Sequence, residues 1–547
     1  MIARILVVLM LSFASIAQTT PPAGSVQSFV ISGTALDAVT GQPIPEATVS
    51  IYSSENAEFT RRTTTSTDGR FTFSSVPAGK YTLTGTAYGY RAQGYHQHGD
   101  YFVGIAVGAG LDSEKISFRL TQDARIEGTI TDDDNEPVRN ANVQVFQRMH
   151  DNGRQETPLF IGGATDDRGH YVIGHLAPGT YFVAVSARPW YAQYFTHNDP
   201  APDPENSGRV AGEREQMDVA YPYTFYPSAL DSTGATPIVL RPGNHAAADI
   251  TLRAMPSVHL RVKSKAGLDT KGGDQSFNPF PAVSQRVFEG ALAVSTSSQG
   301  SCIGNQSCEF TGIAPGHYMI EMQNPGGKGG RGWFKEMDLS GTVELDAAEN
   351  PPLASVSGDI KFVGARPSGR LDILLFNRLT NQVSAAEISS KGTFAFDDIL
   401  PGTYDVTLNI GQGIQISDIK ASGARMAGLA ITVTGGPVQL AVVATRALAR
   451  ISGTVVRSEV PIPGAMVVLV PRDPVQDLPL FRRDESDSDG TFLLRDVLPG
   501  TYSVIAIENG WDLDWANPAT LQTYLKNGVA VDISGETRLS IKVPLQP

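Results

Sequence analysis

Thr67-Asp68-Gly69-Arg70-Phe71-Thr72-Phe73, followed by Val76-Pro77-Ala78-Gly79-Lys80-Tyr81, decides the architecture, because the same string returns along the chain. It recurs as Asp167-Arg168-Gly169-His170-Tyr171 with Leu176-Ala177-Pro178-Gly179-Thr180-Tyr181. It recurs again as Lys391-Gly392-Thr393-Phe394-Ala395-Phe396 with Leu400-Pro401-Gly402-Thr403-Tyr404, and as Asp489-Gly490-Thr491-Phe492 with Leu498-Pro499-Gly500-Thr501-Tyr502. In all four the two glycines stand ten positions apart: 69 and 79, 169 and 179, 392 and 402, 490 and 500. A weaker copy ends in Ala314-Pro315-Gly316-His317-Tyr318, and ten positions before Gly316 stands Gln306, between Cys302 and Cys308. Repetition of this kind signals one structural unit copied in tandem.

Each part of the string has a physical reason. Asp-Gly supplies the positive φ angles of a tight hairpin. The residues after it alternate apolar and polar, as a strand with one buried face requires. Proline then fixes φ, glycine turns the chain, and the tyrosine opens another alternating strand such as Tyr81-Thr82-Leu83-Thr84. Upstream lies a second recurring pair: Ile31-Ser32-Gly33-Thr34 with Ala47-Thr48-Val49, Ile126-Glu127-Gly128-Thr129 with Ala141-Asn142-Val143, Ile451-Ser452-Gly453-Thr454 with Ala465-Met466-Val467. Short strands at this spacing with no helical period between them predict an all-β chain, a tandem array of about five Ig-like or prealbumin-like β-sandwich modules. The repeat sets the expected limits at 27–122, 123–253, 254–351, 352–447 and 448–547, with module two lengthened by an aromatic-rich insertion and module three degenerate.

Ile-Ser-Gly-Thr, Ala-x-Val, Asp-Gly-x-Phe and Leu-Pro-Gly-Thr-Tyr together resemble the carboxypeptidase regulatory-like domain family. The resemblance implies a transthyretin-like or prealbumin-like β-sandwich, related in shape to Cna-B type and starch-binding-like modules. It implies no peptidase activity, because these domains accompany a catalytic domain and do not contain it. The zinc-peptidase His-x-x-Glu motif is absent from the sequence. Nor does a lysine in the first strands match the internal Lys–Asn bonds of Cna-B relatives.

Residues 1–17 carry one positive charge at Arg4, then an apolar run from Ile5 to Phe13 and the stretch Ala14-Ser15-Ile16-Ala17. That pattern predicts a signal peptide over 1–17, hence a periplasmic, cell-surface or extracellular protein. The run is too short to stay in a bilayer and no later segment reaches about 20 apolar residues, so stable membrane insertion is not expected. A net charge of −13 without any basic stripe argues against nucleic acid. Cys302 and Cys308, the only cysteines, are expected to form a disulfide that closes a short hairpin loop and contributes roughly 2 kcal/mol.

Motifs for chemistry are sparse, and we expect no catalytic residue, cofactor or metal. His96-Gln97-His98 lacks a third and fourth ligand and reads as a solvated loop. Glu485-Ser486-Asp487-Ser488-Asp489-Gly490 has the alternating oxygens of a calcium loop, but it coincides with the repeat's hairpin turn and lacks flanking helices. Asp132-Asp133-Asp134-Asn135-Glu136 reads as an acidic turn, and the glycine-rich stretch 325–332 lacks the spacing of a phosphate loop.

The aromatic residues are the remaining candidates. Trp190, Tyr191, Tyr194 and Tyr223 lie in or beside the insertion of module two, and Trp511 and Trp515 follow the last repeat strand. Loops on a rigid sandwich are where binding residues sit, and aromatic faces stack on sugar rings. The competing interpretation is that these rings pack against a neighbouring module, and their recurrence at one place in the repeat favours it. The expected function is therefore non-enzymatic binding or scaffolding, with carbohydrate the first ligand class. The alternatives are a protein-interaction or adhesive spacer facing a cell-surface or extracellular protein, and an accessory to a separate enzyme or outer-membrane receptor.

Overall fold

A computed structural model describes residues 27–547 apart from 152, 194–215, 264–281, 289–290, 292–293, 296–298, 304–306, 323–332, 347–348, 350–352, 379–381, 410–412 and 447. The signal-peptide expectation, the glycine-rich stretch and Tyr194 therefore lie outside the described residues.

The chain is all-β, built from tandem sandwiches that share one plan. In each, the module's first strand sits between the strand that precedes the Pro-Gly turn and the module's last strand. Ser28–Asp37 pairs antiparallel with Arg70–Pro77 and parallel with Ile116–Leu120. The same arrangement recurs for Ala124–Asp132, Val258–Lys263, Ala354–Val363 and Ala449–Arg457. The facing sheet is made by the Ala-x-Val strand and the strand after the Pro-Gly turn, as in Thr48–Ser53 with Gly79–Thr86. Module three follows this plan although its motif is weak. Ser307–Ile313 pairs with Val258–Lys263, and an added strand Gln299–Ile303 sets Cys302 directly opposite Cys308.

Alternation along the strands fills separate cores, one around Ile31, Phe71 and Phe118, another around Ile126, Val143 and Tyr171. Three more centre on Leu260 and Phe310, on Val356 and Phe394, and on Ile451 and Phe492. The recurring glycine of the first strand is required by close approach. A Cβ on Gly33, Gly128, Gly358 or Gly453 would fall 2.2, 2.3, 2.2 or 2.4 Å from a carbonyl oxygen in, or for Gly128 just before, the parallel last strand.

The recurring tyrosine also has a fixed duty. Its ring is buried and its hydroxyl donates to the carbonyl four residues back: Tyr81 to Pro77, Tyr181 to Ala177, Tyr318 to Ala314, Tyr404 to Leu400 and Tyr502 to Leu498, at 2.7–2.9 Å. A buried hydroxyl needs such a partner.

Two recurring features were not anticipated. Thr65, Thr165 and Ser486, each four residues before a turn glycine, are buried hydroxyls that bridge two backbone groups across the sandwich edge. Module four puts the apolar Ile388 there instead. Ser75, His175, Asp398 and Asp496 take positive φ near 55° at a bulge before the Pro-Gly turn, where module three uses Gly312. A short helix, Pro518–Leu525, capped by Asn517, departs from the all-strand expectation in module five.

Candidate functional site

Module five returns to modules one and two, and side chains of its turn 485–490 and of its aromatic loop meet them there. The turn 485–490 has the same local form as its counterparts, with Asp487 N–H bonded to Thr491 O and Gly490 N–H to Asp487 O. Its side chains, however, reach module one. Asp487 Oδ1 accepts from Gly104 N–H at 3.1 Å, and its other oxygen contacts the Lys80 ammonium. Lys80 also donates to Thr491 Oγ1 at 2.6 Å. Ser488 N–H donates to Gly104 O at 2.9 Å and its hydroxyl accepts from Ala106 N–H at 2.9 Å, so the turn adds short backbone-like pairing to the edge of module one. These acidic oxygens are occupied by lysine and amide donors, which agrees with the turn reading and shows its use in docking.

Electrostatics follow from burial. Burial raises the Asp487 carboxyl above its ordinary value against the opposing pull of Lys80. Burial also pushes neighbouring Asp484 up to about 6, although Leu493 N–H donates to it at 2.7 Å. Glu485 is fully buried between Arg483 Nη2 and His98 Nδ1, each 3.2 Å away.

The aromatic loops lie alongside. The His98 ring stacks on Trp511 with centroids 3.6 Å apart and planes 8° from parallel, and the Arg483 guanidinium lies 4.2 Å over Tyr101. His96 and Gln97 are exposed, as a solvated loop requires, but the expectation is corrected for His98, which is packed into the junction. Trp515 is 2% exposed and lies against Gly153 of module two, where a Cβ would come within 2.4 Å of the indole. Ala516 N–H donates to Gly153 O at 3.0 Å and His150 Nε2 stands 3.3 Å from Asp514.

The six aromatic residues proposed to bind ligand are thus not one surface. Trp515 is buried and cannot present a face to a sugar. Tyr223 is likewise buried, in a cluster with Phe146, Phe182 and Phe225 that module three's Val287 and Phe288 complete, and its hydroxyl bonds Gln144. Trp511 offers one face to His98. Trp190, 86% exposed and edge-on to Tyr191 at 5.7 Å, is the one fully open ring of the set among the described residues. The acidic turn 132–136 caps itself, Asp132 accepting from Asp134 and Glu136 N–H. Among the described residues no group of three or more His, Cys, Asp or Glu could hold a metal ion. No described helix is long and apolar enough to cross a membrane.

Fold and junction define a tandem β-sandwich protein whose last module contacts its first two. The family model of the carboxypeptidase regulatory-like domain matches twice in tandem, over residues 30–121 and 125–205, within the first two modules. No curated protein sequence matches the chain. Among solved structures it is similar to the minor pilin of Streptococcus agalactiae (14% identity, 42% of this chain and 97% of that one, TM-score 0.21). It is also similar to the full-length RrgB pilus protein of Streptococcus pneumoniae (9%, 71% and 90%, TM-score 0.15). A hydroxyquinol 1,2-dioxygenase of Pseudomonas putida matches over 24% of this chain and 57% of its own, at 19% identity and TM-score 0.13. Scores this low carry no argument about function.

Proposed function

We propose that the protein is an exported, non-enzymatic scaffold that binds another protein in the periplasm or at the cell surface, its modules limited as the repeat suggests. The observation that supports this is the division of labour among its residues. Those recurring in every module serve the fold, as the five tyrosines do. Asp487, Trp511 and Trp515 of module five instead serve contacts between modules, although module two carries an aspartate, Asp166, at the turn position of Asp487. A chain organised in this way holds a fixed arrangement of surfaces, which is what a scaffold requires. Export rests on Arg4 and the apolar run after it.

A second reading, carbohydrate binding, is favoured by Trp190 alone, whose open ring beside Tyr191 suits stacking on a sugar. Pull-down of the mature chain on insoluble polysaccharides and on protease-treated and untreated envelope preparations separates the two. Retention on untreated envelope, lost after protease and unchanged by Trp190→Ala, is the expected result. Retention on polysaccharide that Trp190→Ala abolishes would replace the scaffold reading with the carbohydrate one. Retention on neither would reject both.

A further inference from the structure

Modules one, two, four and five meet around a cavity of about 580 Å³, a volume that suits a small ligand. Much of its wall is apolar or aromatic, with Leu374 and Phe376 from module four, Leu478 and Phe481 from module five, and Tyr101 from module one. Its charged groups are four arginines, Arg154, Arg378, Arg482 and Arg483, against two carboxylates, Glu156 and Asp405. Arg378 is neutralised by Asp405, which it grips through two nitrogens at 2.6 and 3.0 Å. The others are not balanced so fully.

Arg482 is hydrogen-bonded only to neutral oxygens, the carbonyls of Pro479, Phe481 and Asp496 and the Gln415 side chain. A buried guanidinium with no carboxylate in contact leaves positive potential in the cavity. Arg483, 10% exposed, gives one N–H to Glu485, but its Nε–H is buried with no acceptor. Trp515 also lines the cavity, and its indole N–H is buried without an acceptor too. Two buried donors left unsatisfied in one cavity carry a real desolvation cost, and an acceptor supplied from outside would remove it.

We propose that this cavity binds a small carboxylate-bearing molecule with an apolar or ring-shaped body. Its carboxylate accepts the Nε–H of Arg483 and the indole N–H of Trp515, Arg482 supplies the field, and the body lies against Phe376 and Phe481. A carboxylate satisfies both donors at once because it has two oxygens and only accepts. The site is independent of the scaffold reading, since it rests on the junction and not on export or any macromolecular partner.

The test is isothermal titration calorimetry of the full chain with phenylacetate, with glucuronate and with phenylacetamide, the neutral counterpart. Saturable one-to-one binding of at least one acid, with the amide at least about tenfold weaker, is the expected result. The tighter acid tells an aromatic body from a sugar body. Trp515→Phe, which keeps a ring and removes the N–H, and Arg483→Lys should each weaken binding about tenfold, while Trp190→Ala leaves it unchanged. Arg483→Lys keeps the test decisive if the tryptophan variant does not fold. Absence of saturable binding by both acids at millimolar concentration, or equal affinity in wild type and Arg483→Lys, overturns the proposal.

Discussion

Asp487→Ala opens the contact between the first and last modules, and its cost can be worked out from the contacts already described. The substitution leaves the buried Gly104 N–H without its charged acceptor, which costs about 1.5–3 kcal/mol. Lys80, with a third of its side chain exposed, still reaches Thr491 Oγ1 and water, so its lost pairing adds no more than about 1 kcal/mol. Against both stands the burial of Asp487, whose raised carboxyl pKa shows that the ionised form is held at a desolvation cost the alanine does not bear. A net loss of about 2 kcal/mol is expected, or about thirtyfold more frequent opening of the junction. Hydrogen exchange read by mass spectrometry reports this locally. The amides of Gly104, Ala106 and Ser488 should exchange about thirtyfold faster, while Val49 and Leu83 in the core of module one keep their rates. Unchanged exchange at all three amides would refute the assignment of Asp487 as a holding contact. Equal acceleration in the core would show that the residue supports module one as a whole.

Three further outcomes are expected. Gly128→Ala places a Cβ 2.3 Å from Ala248 O, so a loss of about 3 kcal/mol or more in denaturant unfolding should follow, and a loss under about 1 kcal/mol would contradict the close-approach argument. Asp484 has a native carboxyl pKa of about 6, above its unfolded value, so the native state binds its proton more tightly and stability from this group falls as pH rises from about 4 through 6. Asp484→Asn should therefore stabilise by up to about 3 kcal/mol at about pH 8 and by little near pH 4, and parallel stability–pH profiles of the two proteins would count against it. Cys302 and Cys308, direct partners on adjacent strands, should yield no free thiol in unreduced, unfolded protein, and two thiols by reagent titration would exclude the bond.

What the sequence disclosed and what it concealed divide along a physical line. Gly69, Pro77 and Tyr81 are legible because each answers a demand made within a few residues, and the demand is the same in every copy. The hydroxyl bridge of Thr65, Thr165 and Ser486 was within reach by the same logic, since the three stand at one offset from the turn glycine, but Thr and Ser are common enough in strands to pass unremarked. The bulge at Ser75, His175, Asp398 and Asp496 had no such signal, because four positions shared among three residue types mark no backbone requirement. Least legible was the junction. Asp487 and Lys80 are separated by 407 positions, and the turn 485–490 offers the same local grammar as its solvent-facing counterparts. The aromatic residues suggested binding for a related reason. A loop tryptophan looks alike in sequence whether it is open, as Trp190 is, or seated on a glycine of another module, as Trp515 is.

The contact between modules one and five joins two different surfaces, so nothing in its geometry requires both to belong to the same molecule. Within one chain the tether supplies an effective concentration on the order of millimolar, and the contact closes on itself. Between chains the same pairing is head-to-tail and has no symmetry to terminate it, so each added copy would leave one free surface at either end. Ring closure and filament growth are in that sense two outcomes of a single interface, separated by how the concentration of the protein compares with that of the tethered end.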